Sequence, residues 1–230
     1  MDLSVNRRRL LTVTGVAGIG YALSWIAGLS VPAPSPELTA SGTEIAAALA
    51  GHGTAVAAQF ALTEGLPAAG LAIVSIALAR ATRRSGAAAA ARVALIAGVA
   101  AALISLLQFA LGAVLAGTAS PGTAHLLYDA VNRLDGVKML ALALLGLAAA
   151  ASGVLPRWLR YTGIALAITI TASGVAYLLL LQSLAILAVP AGVLLLVFIT
   201  GAGITLGTSP GQPSRGAPAA RKAAQQEAAV

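Results

Sequence analysis

The sequence predicts an all-α fold: a polytopic transmembrane bundle of six spans with the N and C termini on the cytoplasmic side. Three observations carry that prediction. The first is composition: 59% of the 230 residues are hydrophobic, 9% are charged, and the mean hydropathy is +0.92. A water-soluble domain of this length could not cover its surface with so few polar side chains. The second is segmentation into apolar runs of about 20 residues, each long enough to cross the hydrocarbon core as a helix. The third is that the basic residues fall in the short links between those runs, on alternate sides, as membrane topology would place them.

In chain order, Asn6-Arg7-Arg8-Arg9 precedes a first apolar run over 10–31. Arg7-Arg8 followed by Leu10-Leu11 loosely fits a twin-arginine export signal, and Val31-Pro32-Ala33 could be a cleavage site. The run is long for a signal core, so an uncleaved first span is expected, with segment 1–9 as a basic cytoplasmic N-terminus. Residues 32–43 turn to Pro, Ser and Thr and form an outer loop. A short surface helix is expected over 44–51, with Ser41 or Thr43 as its N-cap. The second span, 54–79, contains Gln59, Glu64 and Pro67 and ends at Arg80, Arg83 and Arg84. The third covers 92–115, with Arg92 at its start and Gln108 in its outer half.

Ser120-Pro121-Gly122 leads into a polar run holding His125, Tyr128, Asp129, Asn132, Arg133, Asp135 and Lys138. It passes directly into a fourth span over 137–155, closed by Pro156-Arg157-Trp158. The fifth span is 161–181, a tight turn follows at Gln182-Ser183, and the sixth is 184–206 with a kink expected at Pro190. The six spans make one transmembrane domain, 10–206. The remainder, 207–230, is rich in Pro, Ala, Gln and Gly without a core pattern and is expected to be a disordered cytoplasmic tail.

Counting charges fixes the expected orientation. On this scheme 12 of the 14 Lys and Arg residues lie on the inner side, leaving Arg133 and Lys138 at the outer boundary. The positive-inside rule then places the chain in the cell's inner (cytoplasmic) membrane with both ends inside. The net charge of +7 is accounted for by topology, so nucleic acid is not an expected partner. Cysteine is absent, which excludes disulfides, thiolate metal sites and a cysteine nucleophile. Abundant Gly and Ala on the spans permit close helix packing and a homodimer, without requiring one.

An ionised carboxylate inside a bilayer costs several kcal/mol unless it is paired, hydrated or protonated. Glu64, roughly 12–15 Å below the outer end of its span at 1.5 Å per residue, is therefore the leading candidate functional residue. Gln59, Gln108, Arg133, Asp135 and Lys138 fall in the outer halves of their spans or at their mouths, and could share an outward-facing pocket with Glu64. His125/Asp129 and Asp129/Arg133 are four apart and Asp135/Lys138 three apart, so a helix sets each pair on one face. Such a ladder also reads as solvated ion pairs capping the bundle.

Other patterns carry no chemistry. His52 and His125 are the only histidines and lack metal-ligand spacing, so no metal or cofactor is expected. No serine stands in a nucleophile-elbow pattern, and Gly18-Ile19-Gly20 lies inside a membrane span rather than between a strand and a helix. The turn Leu155-Pro156-Arg157-Trp158-Leu159, the later Gly174-Val175-Ala176-Tyr177 and the upstream Leu127-Tyr128-Asp129 resemble a family of bacterial multi-pass membrane proteins known only as a domain of unknown function. Arg160 stands where that family commonly has Gly. The resemblance spans roughly 44–181 and implies a compact bundle of about six helices; it implies no activity and no site residues.

Three functions fit. The first is a non-enzymatic transport or export-accessory protein with an outward-facing polar pocket around Glu64 for a small or lipid-like ligand. The second is a membrane-embedded enzyme, such as a cyclase or isomerase, using Glu64 with Asp129 or Asp135 as acid and base on a lipid or isoprenoid. The low aromatic content, 4%, weighs against carbocation chemistry. The third is a structural or regulatory bundle in which Glu64 simply pairs with Lys138.

Overall fold

Helix follows helix through residues 3–208, which the computed structural model describes, with side chains from Val13 onward. The Arg7-Arg8 motif and the tail beyond Thr208 lie outside the described side chains and residues. The elements are α1 (Leu3–Leu29), α2 (Gly42–Leu49), α3 (Gly53–Phe60), a π-helical turn (Ala61–Gly65), α4 (Leu66–Arg84), α5 (Ala88–Ala116), α6 (Pro121–Ser152), α7 (Arg157–Leu178), a 3-10 turn (Gln182–Leu187) and α8 (Ala188–Thr208).

Five stretches are long and apolar enough to cross a bilayer: Gly53–Arg84, Ala88–Ala116, Pro121–Ser152, Arg157–Leu178 and Gln182–Thr208. The described apolar part of α1, Val13–Leu29, is shorter. Large side chains on the outer faces point away from the core: Ile96 is 69% exposed, Leu103 60% and Ile168 68%. Apolar surface on this scale is stable where the surrounding medium is itself apolar, so the bundle reads as a membrane protein.

Consecutive long helices pack side by side and α8 returns onto α1, closing the set, while α4 also touches α8. Consecutive long helices run antiparallel, as do α1 and α8. Gly136 meets Gly174 and Gly146 meets Gly163 between α6 and α7, and Gly18 meets Ile199 and Gly203 between α1 and α8. A Cβ on Gly136 would stand 2.7 Å from the Gly174 carbonyl oxygen, and one on Gly146 2.7 Å from that of Gly163. Those backbones are in direct contact, an approach that only small residues permit. The main core lies between them, with Leu71, Leu78, Leu142, Leu145, Leu166 and Phe198 almost fully buried.

The alternation sorts the charges by end. Arg80, Arg83, Arg84, Arg92, Arg157 and Arg160 occupy one end, while Glu37, Glu44, Glu64, Asp129 and Asp135 all lie in the opposite half. That acidic half also carries α2, a helix stopped and started by short-range chemistry. Ser41 is its N-cap and Glu44 reaches back to the Ser41 amide at 2.7 Å, completing a capping box. The Ser41 amide and hydroxyl hold the Glu44 carboxyl below its ordinary pKa. A small second core of Ile45, Leu49, Val56, Leu115 and Ala124 fastens α2 to α3, α5 and α6.

Three boundaries differ from the sequence expectation. The polar run and the fourth span form one continuous 32-residue helix, α6, with Ser120 at the N-cap and Pro121 in the first turn. Gly153 closes it in the left-handed conformation (φ 68°), which produces the sharp turn into Pro156 and α7. Pro190 kinks nothing: α8 begins at Ala188, so the proline sits in the first turn, where an amide would have had no helical acceptor. Before it, the last apolar stretch opens as a 3-10 turn, Gln182–Leu187, rather than as α-helix.

Candidate functional site

Glu64 does not sit on a regular α-helix. Pro67, one residue into α4, has no amide and its ring excludes the usual bond to the carbonyl four residues back. The helix opens into a π-turn, with the Leu66 amide bonding the Ala61 carbonyl five residues back. The Leu62 carbonyl thereby loses its donor, since residue 66 has been taken and residue 67 has none to give. The Ser24 hydroxyl of α1 supplies one, donating to the Leu62 carbonyl at 2.7 Å. Gly28 admits this close approach of α1: a Cβ there would fall 2.5 Å from the Thr63 methyl.

The π-turn presents Glu64 to Lys138 of α6. The Lys138 ammonium donates to both carboxylate oxygens, at 2.8 and 2.7 Å, and forms a second ion pair with Asp135 Oδ1 at 2.7 Å. Lys138 and Glu64 are buried, with side chains 7% and 9% exposed, whereas Asp135 is 18% exposed. Gln108 of α5 completes the group, its amide nitrogen donating to Asp135 Oδ1 at 3.2 Å and to the Val131 carbonyl at 3.1 Å. Those two acceptors fix the amide's orientation, leaving Gln108 Oε1 buried with no partner among the described residues. Ser105 lies against the Glu64 carboxylate, and Tyr21 of α1 is buried close to all three charges.

Above this floor lies a cavity of about 230 Å³ that reaches towards the 31–40 segment. Glu64, Gln108 and Asp135 line its base, Gln59 and Thr63 one wall, Tyr128, Asn132 and Tyr177 another, and Trp25 and Phe60 add aromatic surface. Residues 34–36 of this segment line the cavity. The segment is held at two points: the Tyr128 hydroxyl donates to the Pro36 carbonyl, and the Leu38 amide donates to Gln182 Oε1 at 2.8 Å.

Of the residues singled out from sequence, Gln59, Glu64, Gln108 and Asp135 line this one cavity and Lys138 lies beneath it. Arg133 and Asp129 stand apart. Arg133 is exposed and donates to the Leu178 carbonyl at 2.8 Å, satisfying the C-terminus of α7. Asp129 does not line the cavity, and among the described residues neither the His125/Asp129 nor the Asp129/Arg133 spacing yields an ion pair. His52 bonds the Ala50 carbonyl locally, and among the described residues no three metal-type ligands gather.

No protein-family model, curated protein or solved structure matches the chain. Nothing in those comparisons bears on the resemblance carried by the turn at 155–159.

Sequence reasoning missed Ser24, Ser105 and the aromatic wall. The Pro67 signal, a proline mid-span three residues after a carboxylate, was sufficient to suggest a broken hydrogen-bond ladder at Glu64. The aromatics gave no local signal. Trp25 reads as an interface anchor by depth, yet it packs partly buried on the core and lines the cavity. Four of the nine aromatic residues converge there, so the low overall content conceals a local concentration.

Proposed function

We propose that this chain is a six-span protein of the inner (cytoplasmic) membrane, basic end inside, that binds a small or lipid-like molecule in a pocket opening to the outer side. It acts as a non-enzymatic transport or export-accessory protein. Support for the sixth crossing comes from α1, 27 residues long in all, which packs against α4 and α8. Support for the orientation comes from the clustering of Arg80, Arg83, Arg84, Arg92, Arg157 and Arg160 at one end. Kinship with the bacterial multi-pass family, resting on the 155–159 turn, belongs to the same proposal.

The observation that carries the reading is the cavity set directly on a buried, charged floor. Ligand sites combine apolar walls with a few placed polar groups, and this cavity has both. Binding is favoured over paired acid–base catalysis because both Glu64 oxygens are held by the Lys138 ammonium and Asp129 lies outside the cavity, so no second free carboxyl stands beside Asp135. A general acid or base needs a carboxyl free to face its substrate proton.

Gln59→Trp tests the reading. Gln59 lines the cavity and makes no hydrogen bond or ion pair to Glu64, Lys138 or Asp135 among the described residues, so an indole there fills the space and leaves this charged triad intact. A molecule extracted by mass spectrometry from purified wild type and absent from the variant is the expected result. Equal recovery from both, or none from either, refutes the pocket.

A further inference from the structure

Among the described residues the charges lining the cavity have one sign: Glu64 and Asp135 are its only ionisable side chains apart from the two tyrosines, and no Lys, Arg or His lines it. The single compensating base, Lys138, lies beneath the floor, 5% exposed, with its ammonium committed to Glu64 and Asp135. Two carboxylates against one ammonium leave a formal charge of −1 in a low-dielectric setting, where an uncompensated charge is expensive.

The spare hydrogen-bonding capacity has the same character. Every bond to Asp135 among the described residues falls on Oδ1, leaving Oδ2 as a free acceptor on the most exposed of the three charged side chains. Gln108 Oε1 also lacks a partner among the described residues, but that oxygen is closed off from the cavity, so Asp135 Oδ2 is the acceptor a ligand can reach. The free Asp135 oxygen calls for a donor. The side chains of Trp25, Phe60, Tyr128 and Tyr177 line the same cavity, and aromatic rings can attract cations, most strongly where water is excluded.

We propose that the pocket binds a small protonated amine. Its ammonium group donates to Asp135 Oδ2 and offsets the formal negative charge; its hydrocarbon part lies against the aromatic side chains. The cavity, about 230 Å³, restricts the ligand to a small one. A quaternary ammonium ion matches the charge and the aromatic wall but supplies no N–H donor, so it should bind less well. The inference rests on the pocket reading above and adds the ligand's class.

The test uses the full chain in detergent, titrated at constant ionic strength with butylammonium, tetramethylammonium, butanol, butyrate and sodium, and followed by thermal shift and calorimetry. Butylammonium should bind saturably, at least tenfold more tightly than tetramethylammonium, with no saturable binding of butanol or butyrate. Asp135→Asn should weaken butylammonium at least tenfold. Because that change touches the buried triad, Trp25→Leu gives a second readout: it leaves the triad untouched and should weaken butylammonium several-fold. Absence of butylammonium binding, or an equal response to sodium or butanol, overturns the amine assignment. A neutral or anionic molecule recovered from wild type but not from Gln59→Trp overturns it too while upholding the pocket. Loss of the pocket itself is read separately, from the failure of wild type and Gln59→Trp to differ in what they retain.

Discussion

Lys138 should matter more to stability than Glu64, although the two form one ion pair. Formally the floor holds two carboxylates and one ammonium, a charge of −1. Lys138→Met strips the base from both acids at once and leaves −2 in a site whose side chains are at most 18% exposed. Stranding buried charge in this way costs about 3–5 kcal/mol. Glu64→Gln acts in the other direction: the charge falls to zero, the Lys138–Asp135 pair at 2.7 Å survives, and the new amide oxygen still accepts from the ammonium. Its cost should be about 1–2 kcal/mol, that of a weakened hydrogen bond. In the double variant the Glu64 carboxylate that Lys138→Met would strand is gone and Asp135 alone is left unpaired, so the loss should fall short of the sum by about 1–3 kcal/mol. Reversible unfolding in mixed micelles, titrated with SDS, gives all three differences. Equal losses from the two single variants, or strict additivity in the double, would refute the shared-ammonium account.

Three further outcomes follow from the same geometry. Ser24→Ala removes the donor to the Leu62 carbonyl and should cost about 1–2 kcal/mol in wild type. It should cost less in a Pro67→Ala background, where a backbone amide becomes available to the opened turn; an unchanged cost in the cycle would show that Pro67 does not create the orphaned carbonyl. Gly146→Ala places a Cβ 2.7 Å from the Gly163 carbonyl oxygen and should destabilise by about 1–3 kcal/mol through separation of α6 and α7, whereas Gly122→Ala, with open space around it, should be near neutral in the same unfolding assay. Glu44 has its pKa depressed by the Ser41 amide and hydroxyl, so its contribution to α2 is present above the ordinary carboxylate range and is lost as the pH falls through the depressed value. Amide-exchange protection of α2, corrected for intrinsic rates, should therefore drop on acidification in wild type and be pH-independent in Glu44→Gln.

What the sequence determined by itself was the solvent, the helices and the depth of each polar residue. Hydrophobic runs of bilayer length allow only structures that satisfy their own backbone, so helix was forced wherever 20 apolar residues ran together. The α2 cap at Ser41 was legible for the same local reason, since capping depends on residues within one turn. The Asp135–Lys138 pair was legible because a spacing of three places both on one helix face.

Rotation and partnership were decided only by the tertiary structure. Depth along a span says nothing about which face a side chain takes, and that face is set by helix packing on Gly136, Gly146 and Gly163, whose influence is invisible in hydropathy. Arg133 and Lys138 have similar depth and sign, yet one caps α7 and the other underlies the cavity, because they project from different faces of α6. The π-turn depends on a donor from α1 some 38 residues away, and the aromatic wall assembles from α1, α3, α6 and α7. Contacts between distant parts of the chain carry no local periodicity, so the cavity and the Glu64–Lys138–Asp135 group at its base emerge only when those helices meet.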